Sequence, residues 1–545
     1  MKKRILSAML AIMLMMAVLP TASLALVQGN GSKPLAARDE AALTDFKGEP
    51  VPINNDTFPD RVFKGHISQY LDLNGDGYLD DEEIAAITDL SLGYAGITDL
   101  TGIEYFTNLE TLNCTGNYLE ALDISHNTEL KGMSCDKNSI TALDLSNNLA
   151  LERLQCGENG ISELDVSRNT ELRFLNCMGL PISESGLDVT NNTKLDTLIC
   201  DYTNITELDV SNNTELRYLE CSFNQLTELD ISNCILLESF AGIFNQFTCI
   251  DFSHNPELNT ISIAGNVVTE LDVSSNPLLE SLIAWNNQLT ELDVSNNPYL
   301  TMLQVYDNLI AELDVSNNPL LVNFWCKGNR LSELDISNNP ELNTLMCGRN
   351  ELSELDISNN TRLEFFYCNN NNLTELDVSN HPNLQSLDCS GNALTSINID
   401  NCPNIFSLGC EENVYIADFG EDGSFDLATL PGSFDLTRTS GWQGGSLEGN
   451  ILTLDEGCTE VTYVYDCGMG YSEIFTIRAA GSMPGVPGDA NGDGVVDTLD
   501  AVMVMRHALS LINLSDEAAA LCDMNGDGEI TILDATLIMR AALGF

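Results

Sequence analysis

The sequence predicts a chain of several domains, in which a long solenoid of stacked coils with short strands is flanked by smaller modules. Three observations support this prediction. A motif recurs every 21 residues through the middle of the chain, a twelve-residue acidic loop occurs twice near the C-terminus, and 545 residues are too many for one compact core. A small helical cap is expected before the solenoid, and a β-rich module and an all-helical domain are expected after it.

The repeat is easiest to follow from a Leu-Asp pair, which first occurs at Leu122 and returns as far as Ile397 at a spacing of 21, with one spacing of 23. The unit reads LxxLxCxxNxLxxLDVSxNxx, and its first copy starts at Leu109. A single coil can bury its apolar residues only against its neighbours, so the coils must stack. Residues 97–413 therefore closely resemble a leucine-rich-repeat array.

One position of the unit is occupied by Cys in most coils. The other residues at this position are Gly242, Ile263, Ala284 and Val305, which favours a buried apolar slot over a disulfide framework. A file of metal-binding thiols is the alternative. Cys458 and Cys467 lie outside this column and are candidates for a bridge. The column contains Cys114, Cys135, Cys156, Cys177, Cys200, Cys221, Cys326, Cys347, Cys368, Cys389 and Cys410.

An Asn three residues after the Cys column recurs from Asn117 to Asn413. An inward Asn in each coil is expected to bond backbone groups that are left unpaired where the chain turns. Leu180 and Thr203 are the departures from this column. They bracket the coil of 23 residues, so a local irregularity is expected around Pro181–Gly186.

Acidic residues flank each Leu of the Leu-Asp pair and therefore stack from coil to coil, as Glu291 and Asp293 do beside Glu312 and Asp314. Adjacent coils lie roughly 5 Å apart, so like charges in file repel by on the order of 1 kcal/mol in water. An Asp that accepts N–H bonds from its own turn would offset this repulsion. Calcium bound along the ladder is the alternative.

The last domain contains the same type of calcium loop twice, at Asp489–Asp500 and Asp523–Asp534. Oxygen ligands are expected at loop positions 1, 3, 5, 7, 9 and 12, with a carbonyl at position 7 and a turn-permitting Gly at position 6. An apolar helix is expected after each loop, at Ala501–Leu509 and Ala535–Leu543. The predicted ligands are Asp489, Asn491, Asp493, Val495, Asp497 and Asp500 in the first loop and Asp523, Asn525, Asp527, Glu529, Thr531 and Asp534 in the second.

This duplicated arrangement resembles a type I dockerin over residues 488–545, with a linker at 481–487. The resemblance implies calcium as cofactor and, as partner, a cohesin domain on the scaffold of a cellulosome-type, polysaccharide-degrading complex. A plain calcium-stabilised pair of loops is the alternative. The resemblance also implies two similar cohesin-binding faces, made of Thr498, Leu499, Met505 and Arg506 in one half and Ile532, Leu533, Met539 and Arg540 in the other. Packing between the two helices is the alternative role for Leu499 and Leu533.

Residues 56–96 contain a third loop of this type, Asp72–Glu83, between expected helices at Pro59–Leu71 and Asp81–Leu90. The segment resembles the helical cap of internalin-like proteins with an EF-hand-like loop, which implies a structural brace, and a calcium sensor is the alternative. Alternating runs within 414–480 predict a β-rich module at the other end. The predicted ligands of the third loop are Asp72, Asn74, Asp76, Tyr78, Asp80 and Glu83.

The N-terminus predicts export. Lys2, Lys3 and Arg4 precede an apolar run from Ile5 to Leu19, which is typical of a secretory signal cut after Ala25, followed by a linker at 26–55. No later apolar run is long enough to span a membrane, so we expect a secreted protein that joins a cell-surface complex through its scaffold. A net charge of −58 excludes nucleic acid as a partner.

No constellation of catalytic residues is recognisable, and five scattered His do not form one. Aromatic residues beside the Cys column instead predict a recognition face for a protein or glycan, unless they only pack on each other. The sequence therefore favours a non-catalytic adaptor. A component that acts directly in polysaccharide breakdown, as a glycoside hydrolase or by carbohydrate binding, is the alternative. The predicted ligand face consists of Trp285, Tyr306, Trp325, Met346 and Tyr367, with a second file of Tyr202, Phe223 and Phe244.

Overall fold

The computed structural model describes residues 48–182, 186–420, 422–480, 487–491, 495–509, 512, 514, 516–526 and 528–542. The expected signal peptide, most of the linker at 26–55 and the linker residues 481–486 lie outside these ranges. Within the part of the chain that is described, no helix is long and apolar enough to cross a membrane.

The N-terminal cap contains helices α1 (Arg61–Tyr70) and α2 (Asp81–Ala86). Strand β1 (Val51–Pro52) precedes α1, and it pairs antiparallel with strand β2 (Tyr78–Leu79), which lies between the two helices in the chain. Helix α1 begins where the Asp60 side chain accepts two backbone N–H bonds. Helix α2 begins with a capping box.

The expectation that the second helix reaches Leu90 is wrong, because Leu90 lies in the first strand of the large sheet. Its neighbour there is Leu112 of the next strand. The repeat sheet therefore begins before residue 97, and the helical cap continues directly into it.

The array forms one sheet of sixteen parallel strands, each three residues long and paired with the strands before and after it in the chain. A short 3-10 turn, Ile103–Tyr105, precedes the second strand. The strands are β3 Asp89–Ser91, β4 Thr111–Asn113, β5 Gly132–Ser134, β6 Arg153–Gln155, β7 Phe174–Asn176, β8 Thr197–Ile199, β9 Tyr218–Glu220, β10 Ser239–Ala241, β11 Thr260–Ser262, β12 Ser281–Ile283, β13 Met302–Gln304, β14 Asn323–Trp325, β15 Thr344–Met346, β16 Phe365–Tyr367, β17 Ser386–Asp388 and β18 Ser407–Gly409.

The core of the array is a continuous stack of apolar side chains. The middle residue of each strand points inward, as Leu303 and Phe324 do, and both are fully buried. All eleven Cys of the column are buried free thiols, which confirms the prediction of an apolar slot. Burial raises the pKa of the Cys347 thiol to about 12, so these side chains stay neutral.

The predicted Asn ladder is confirmed, and Asn308 shows its geometry. Its Nδ2 donates to the carbonyls of Ala284 and Val305, both at 3.0 Å, and its Oδ1 accepts from the amide of Leu289 at 3.1 Å. At the departure Thr203, the hydroxyl replaces the amide and donates to the Cys200 carbonyl at 2.7 Å. Each Asn therefore ties its own coil to the coil before it.

A second Asn column, in the LDVSxN turn, was not predicted. Nδ2 of Asn318 donates to the carbonyls of Val294 and Asn297 at 3.0 and 2.9 Å, while its buried Oδ1 has no partner among the described residues. Eleven Asn share this arrangement: Asn127, Asn148, Asn169, Asn192, Asn213, Asn255, Asn276, Asn297, Asn318, Asn339 and Asn360.

The β-rich module contains two sheets, with strand orders β19-β25-β24-β21 and β20-β23-β22. It contacts the last coils through the Tyr463 hydroxyl, which donates to the Thr395 carbonyl at 2.6 Å. Cys467 is buried and Cys458 exposed, and both thiols are free. The elements are β19 Asn413–Ala417, β20 Ser424–Asp426, β21 Thr439–Gln443, β22 Gly445–Glu448, β23 Ile451–Leu454, β24 Glu460–Gly468 and β25 Tyr471–Ala479, with 3-10 turns at Leu427–Thr429 and Leu436–Arg438.

The C-terminal region contains the helices α3 (Thr498–Ala508), α4 (Asp516–Cys522) and α5 (Ile532–Ala542). Helices α3 and α5 each start three residues before the predicted position, because the helix begins inside the loop rather than after it. Asp497 caps α3 and forms a capping box with Asp500. A small separate core holds the region together, made of Ala490, Ala501, Val504, Cys522, Ala535 and Ile538.

Candidate functional site

The Asp residues of the LDVS turns accept hydrogen bonds from the backbone of their own turns. Asp293, Asp314 and Asp335 each accept the amide N–H of the Ser two residues later, at 2.8 to 2.9 Å. The hydroxyl and the amide of that Ser hold the pKa of each carboxyl below its usual value. The prediction that each Asp caps its own turn is confirmed.

The two C-terminal loops share one hydrogen-bonded frame centred on loop position 12. Asp500 accepts amide bonds from loop positions 2, 3 and 9 at 2.9, 3.1 and 2.8 Å. Asp534 accepts the equivalent bonds at 3.0, 3.3 and 3.0 Å. Both carboxylates are fully buried.

The predicted loop ligands Asp489, Asn491, Val495, Asp497, Asp523, Asn525, Glu529 and Thr531 lie in the described part of the two loops, and Asp493 and Asp527 lie outside it. Asp489 is also buried, so the first loop brings two carboxylates together in its interior. Burying like charges is costly unless a cation or donors offset them. The donor set and the backbone frame both fit a hard cation such as calcium.

The N-terminal loop repeats this frame. Glu83, at position 12, accepts from the amides of Leu73, Asn74 and Asp80 at 2.7, 3.2 and 3.1 Å. Asp72, at position 1, accepts from the amides at positions 4 and 6, as Asp523 does in the last loop. Nowhere in the described residues do three Asp, Glu, His or Cys side chains group as a metal centre. Calcium at Asp72, Asn74, Asp76, Tyr78, Asp80 and Glu83 stays a prediction.

The side chains predicted to bind cohesin lie mostly on the surface. Leu499 and Leu533 are 54% and 55% exposed, so neither packs between the two helices. Thr498, Arg506, Ile532 and Arg540 are exposed as well. The two halves differ at one position, because Met505 is exposed whereas Met539 is partly buried against the small core.

The predicted ligand face lies on the outer sheet face, which is formed by the first and third residues of each strand and the two residues after the Cys column. Six rings form a continuous contact chain that we call the aromatic ridge: Tyr202, Phe223, Phe244, Trp285, Tyr306 and Trp325. Successive ring centroids are 4.2, 5.0, 5.5, 5.3 and 6.2 Å apart. Between Phe244 and Trp285, Gly265 leaves room for the ring, since a Cβ there would lie 2.5 Å from Phe244.

The first five residues of the predicted face flank the Cys column on both sides, as expected from the sequence. Trp325, Met346 and Tyr367 end their strands, whereas Trp285 and Tyr306 follow the Cys column. Trp285 is only 8% exposed because Tyr306 stacks on one face of its ring and Phe244 packs edge-on. At this position, packing within the ridge accounts for the side chain. Tyr202, at the end of the ridge, is 45% exposed.

Comparison with known proteins finds relatives of the C-terminal region and of the repeat array. Residues 487–543 match the family described as Dockerin type I domain, and residues 361–401 match Leucine Rich repeats (2 copies). The solved functional domain of InlJ from Listeria monocytogenes, described as including a cysteine ladder, is 32% identical, with a TM-score of 0.70. The match covers 79% of this chain and 99% of that domain. The chain belongs to the internalin-like family of leucine-rich-repeat proteins.

Two further comparisons agree with this assignment. The internalin InlF of Listeria monocytogenes is 26% identical with a TM-score of 0.51, and the match covers 66% of this chain and 97% of that one. Internalin J of Listeria monocytogenes serotype 4b (strain F2365) is 36% identical over 95 residues, which are 17% of this chain and 10% of that protein. The chain therefore matches about a tenth of the length of that curated relative.

Two features of the internalin-like array were missed by sequence reasoning. Asp201 and Glu220 place two partly buried carboxyls on the outer sheet face beside Tyr202. Burial and the neighbouring Glu220 raise the pKa of Asp201 to about 7, and burial raises the pKa of Glu220. The second feature is a pocket of about 210 Å³ beyond the other end of the ridge, lined by Lys327, Met346, Tyr367, Asn369 and Asp388. Acidic residues occur throughout the chain, so neither Asp201 nor Asp388 stood out in the sequence as part of a site.

Proposed function

We propose that this internalin-like chain is a secreted, non-catalytic adaptor, which its dockerin attaches to a cohesin domain on a scaffold protein of a polysaccharide-degrading complex. The observation that carries the proposal is the duplicated loop-and-helix unit. Both halves have the same hydrogen-bonded frame and expose Leu499 and Leu533 at equivalent positions. A pair of equivalent exposed faces is what a docking module with two orientations needs.

Calcium is the cofactor of this proposal. In each loop the side-chain oxygens at positions 1, 3, 5, 9 and 12, which include the Thr531 hydroxyl in the second loop, would hold the ion together with the carbonyl at position 7. The ion would neutralise the carboxylates at positions 1 and 12, of which Asp489, Asp500 and Asp534 are buried, and so fix the orientation of the following helix. The same ligand pattern at Asp72–Glu83 would brace the helical cap.

The array supplies ligand recognition in this proposal. Its outer sheet face is rigid, because every strand between the two ends of the sheet is paired on both sides and an Asn ties nearly every coil to the one before it. Exposed or half-buried aromatic side chains on a rigid surface can supply much of the energy of an interface. The ligand, a protein or a glycan, would then be carried to the complex through the dockerin.

The test measures binding of the full chain to a panel of type I cohesins by calorimetry in calcium. We expect at least one cohesin to bind at one site per chain. A variant with alanine at Thr498, Leu499, Arg506, Ile532, Leu533 and Arg540 should lose this binding, while the matched control Tyr218→Ala on the array keeps it. The same preparations should release no reducing sugar from plant polysaccharides. Absence of cohesin binding, or release of sugar, would contradict the proposal.

A further inference from the structure

The pocket at the end of the aromatic ridge has a simple structural origin. Met346, Tyr367 and Asp388 end the neighbouring strands β15, β16 and β17 and form one wall. The other wall holds Lys327 and Asn369, which follow the Cys column two coils apart. The coil between them has Gly348 at this position, where a Cβ would lie 2.4 Å from Oδ1 of Asn369. The Gly therefore gives the Asn369 side chain room to lie over this coil, where it helps to line the pocket.

The polar groups of this pocket are not used within the fold. Lys327 forms no salt bridge with any residue that the structure describes, although the chain carries 81 acidic residues. Asp388 receives its two hydrogen bonds, from the amide and hydroxyl of Ser390, at Oδ1 alone, at 3.1 and 2.6 Å. Its Oδ2 and the Asn369 carboxamide have no hydrogen-bond partner in the described part of the chain. One ammonium, one carboxylate oxygen and one carboxamide therefore converge on the same small space.

We infer that this pocket binds a single sugar ring of a glycan, and so that the adaptor's ligand is a glycan. The inference rests on the proposed function for the role of the array, and it adds the ligand class and the residues that recognise it. A concave site with an apolar wall and a few convergent polar groups is typical of small-ligand recognition. A volume of about 210 Å³ is on the scale of one such ring.

The charges of Lys327 and Asp388 favour a sugar over a charged protein side chain. Lys327 can only donate hydrogen bonds and Asp388 can only accept them, whereas a hydroxyl does both. A basic side chain would pair with Asp388 but be repelled by Lys327. An acidic side chain would pair with Lys327 but be repelled by Asp388. Adjacent hydroxyls of one ring satisfy both groups without burying an unpaired charge.

The apolar wall supports the same ligand. A sugar ring has a hydrocarbon face, which packs on an aromatic side chain such as Tyr367 and on the thioether of Met346. The rings of the ridge pack mostly on one another, so they offer edges rather than free faces to a ligand. The pocket, and not the ridge, is therefore the place where a ring can stack.

The test applies the full chain, in calcium, to a printed array of neutral and uronic-acid oligosaccharides, and then titrates the strongest binder. Wild type should bind at least one oligosaccharide. Lys327→Met and Asp388→Asn should each weaken that binding at least tenfold, and Tyr367→Ala should remove it. Tyr218→Ala is the matched control, because Tyr218 is exposed on the same sheet face but begins its strand in a distant coil. The control should bind like wild type.

The outcomes separate this inference from the proposed function. Wild type that binds no oligosaccharide overturns the sugar pocket, and so does binding that survives all three pocket variants. Pocket variants that lose an unglycosylated protein ligand overturn it in favour of a protein. Cohesin binding of the same preparations tests the adaptor role separately, because none of the pocket residues lies in the dockerin. A thermal melt of Asp388→Asn, which keeps the Oδ1 acceptor for Ser390, shows that a loss of binding is not a loss of fold.

Discussion

The array and the C-terminal helical region solve the problem of burial in opposite ways. The interior of the array is a stack of neutral Leu, Cys and Asn side chains, and each coil finds its partners in the coils beside it. Among its described residues, the C-terminal region has a core of six buried apolar side chains, and it buries Asp489, Asp500 and Asp534 beside them. Neutral stacking needs nothing from outside the chain. We expect a bound cation to stabilise a small core that contains carboxylates, in addition to the backbone N–H groups that donate to Asp500 and Asp534.

The largest expected effect is that of calcium removal. A chelator should unfold the C-terminal helices, because the carboxylates at positions 1 and 12 of each loop repel each other once no cation lies between them. The array should keep its β-type circular dichroism. Differential scanning calorimetry in calcium and in chelator checks this, with one transition lost and one retained. A C-terminal transition that survives chelation would contradict it.

The second prediction compares the two Asn columns within the array. Asn308→Ala removes both donor bonds and the acceptor bond, and should lower the free energy of unfolding by about 3 kcal/mol. Asn318→Ala removes two donor bonds but also a buried oxygen that has no partner, so its cost should be about 1 kcal/mol. Urea denaturation of the two variants measures the difference. Equal costs would show that the unpaired oxygen is not a penalty.

The natural replacements in the second column support this ranking. Cys234, His381 and Cys402 stand there in place of Asn. Each directs its donor atom at a carbonyl of an earlier coil, as His381 Nε2 does at 3.0 Å from the Ile357 oxygen. In the first column the polar replacement is Thr203, whose hydroxyl donates to the Cys200 carbonyl and to Oδ1 of Asn224. Asn318→Cys should therefore be the mildest change at that position.

The third prediction concerns Asp201, a partly buried carboxyl on the outer sheet face of the array. The pKa of Asp201 is raised from 3.8 to about 7 by burial and by Glu220. Between these two values the folded chain holds a proton that the unfolded chain releases, so the stability falls as pH rises and the full cost is present above pH 7. Asp201→Asn should raise the free energy of unfolding by about 2 kcal/mol at pH 8 and leave it unchanged near pH 3.

Asp209→Asn is the control of opposite sign. The Ser211 hydroxyl and amide lower the pKa of Asp209, so its contribution is present above the unfolded pKa and is lost as pH falls through the folded one. This variant should be slightly less stable than wild type at neutral pH. If the free energy of unfolding of Asp201→Asn at pH 8 shows no gain relative to this control, the carboxyls of Asp201 and Glu220 are adequately solvated.

The sequence predicted those features of the fold that depend on periodicity. Twenty-one residues per coil, the Cys column and the first Asn ladder follow from spacing alone, because every copy repeats the same contacts. Burial of Trp285 does not follow, because it depends on whether an aromatic residue precedes or follows the Cys column and on its neighbours in adjacent coils. The pocket depends on a Gly at residue 348 beside unpaired side chains, and no repeat marks it.

The smallest expected effect comes from one face of the dockerin. Because Thr498, Leu499 and Arg506 have exposed equivalents in Ile532, Leu533 and Arg540, replacing either set of three with alanine should change the Kd for a cohesin less than threefold. The unchanged half of the dockerin would then bind the cohesin in the second, rotated orientation. Calorimetry on both variants checks this. A large loss from one set alone would show a single orientation, with Met539, partly buried where Met505 is exposed, as the difference that causes it.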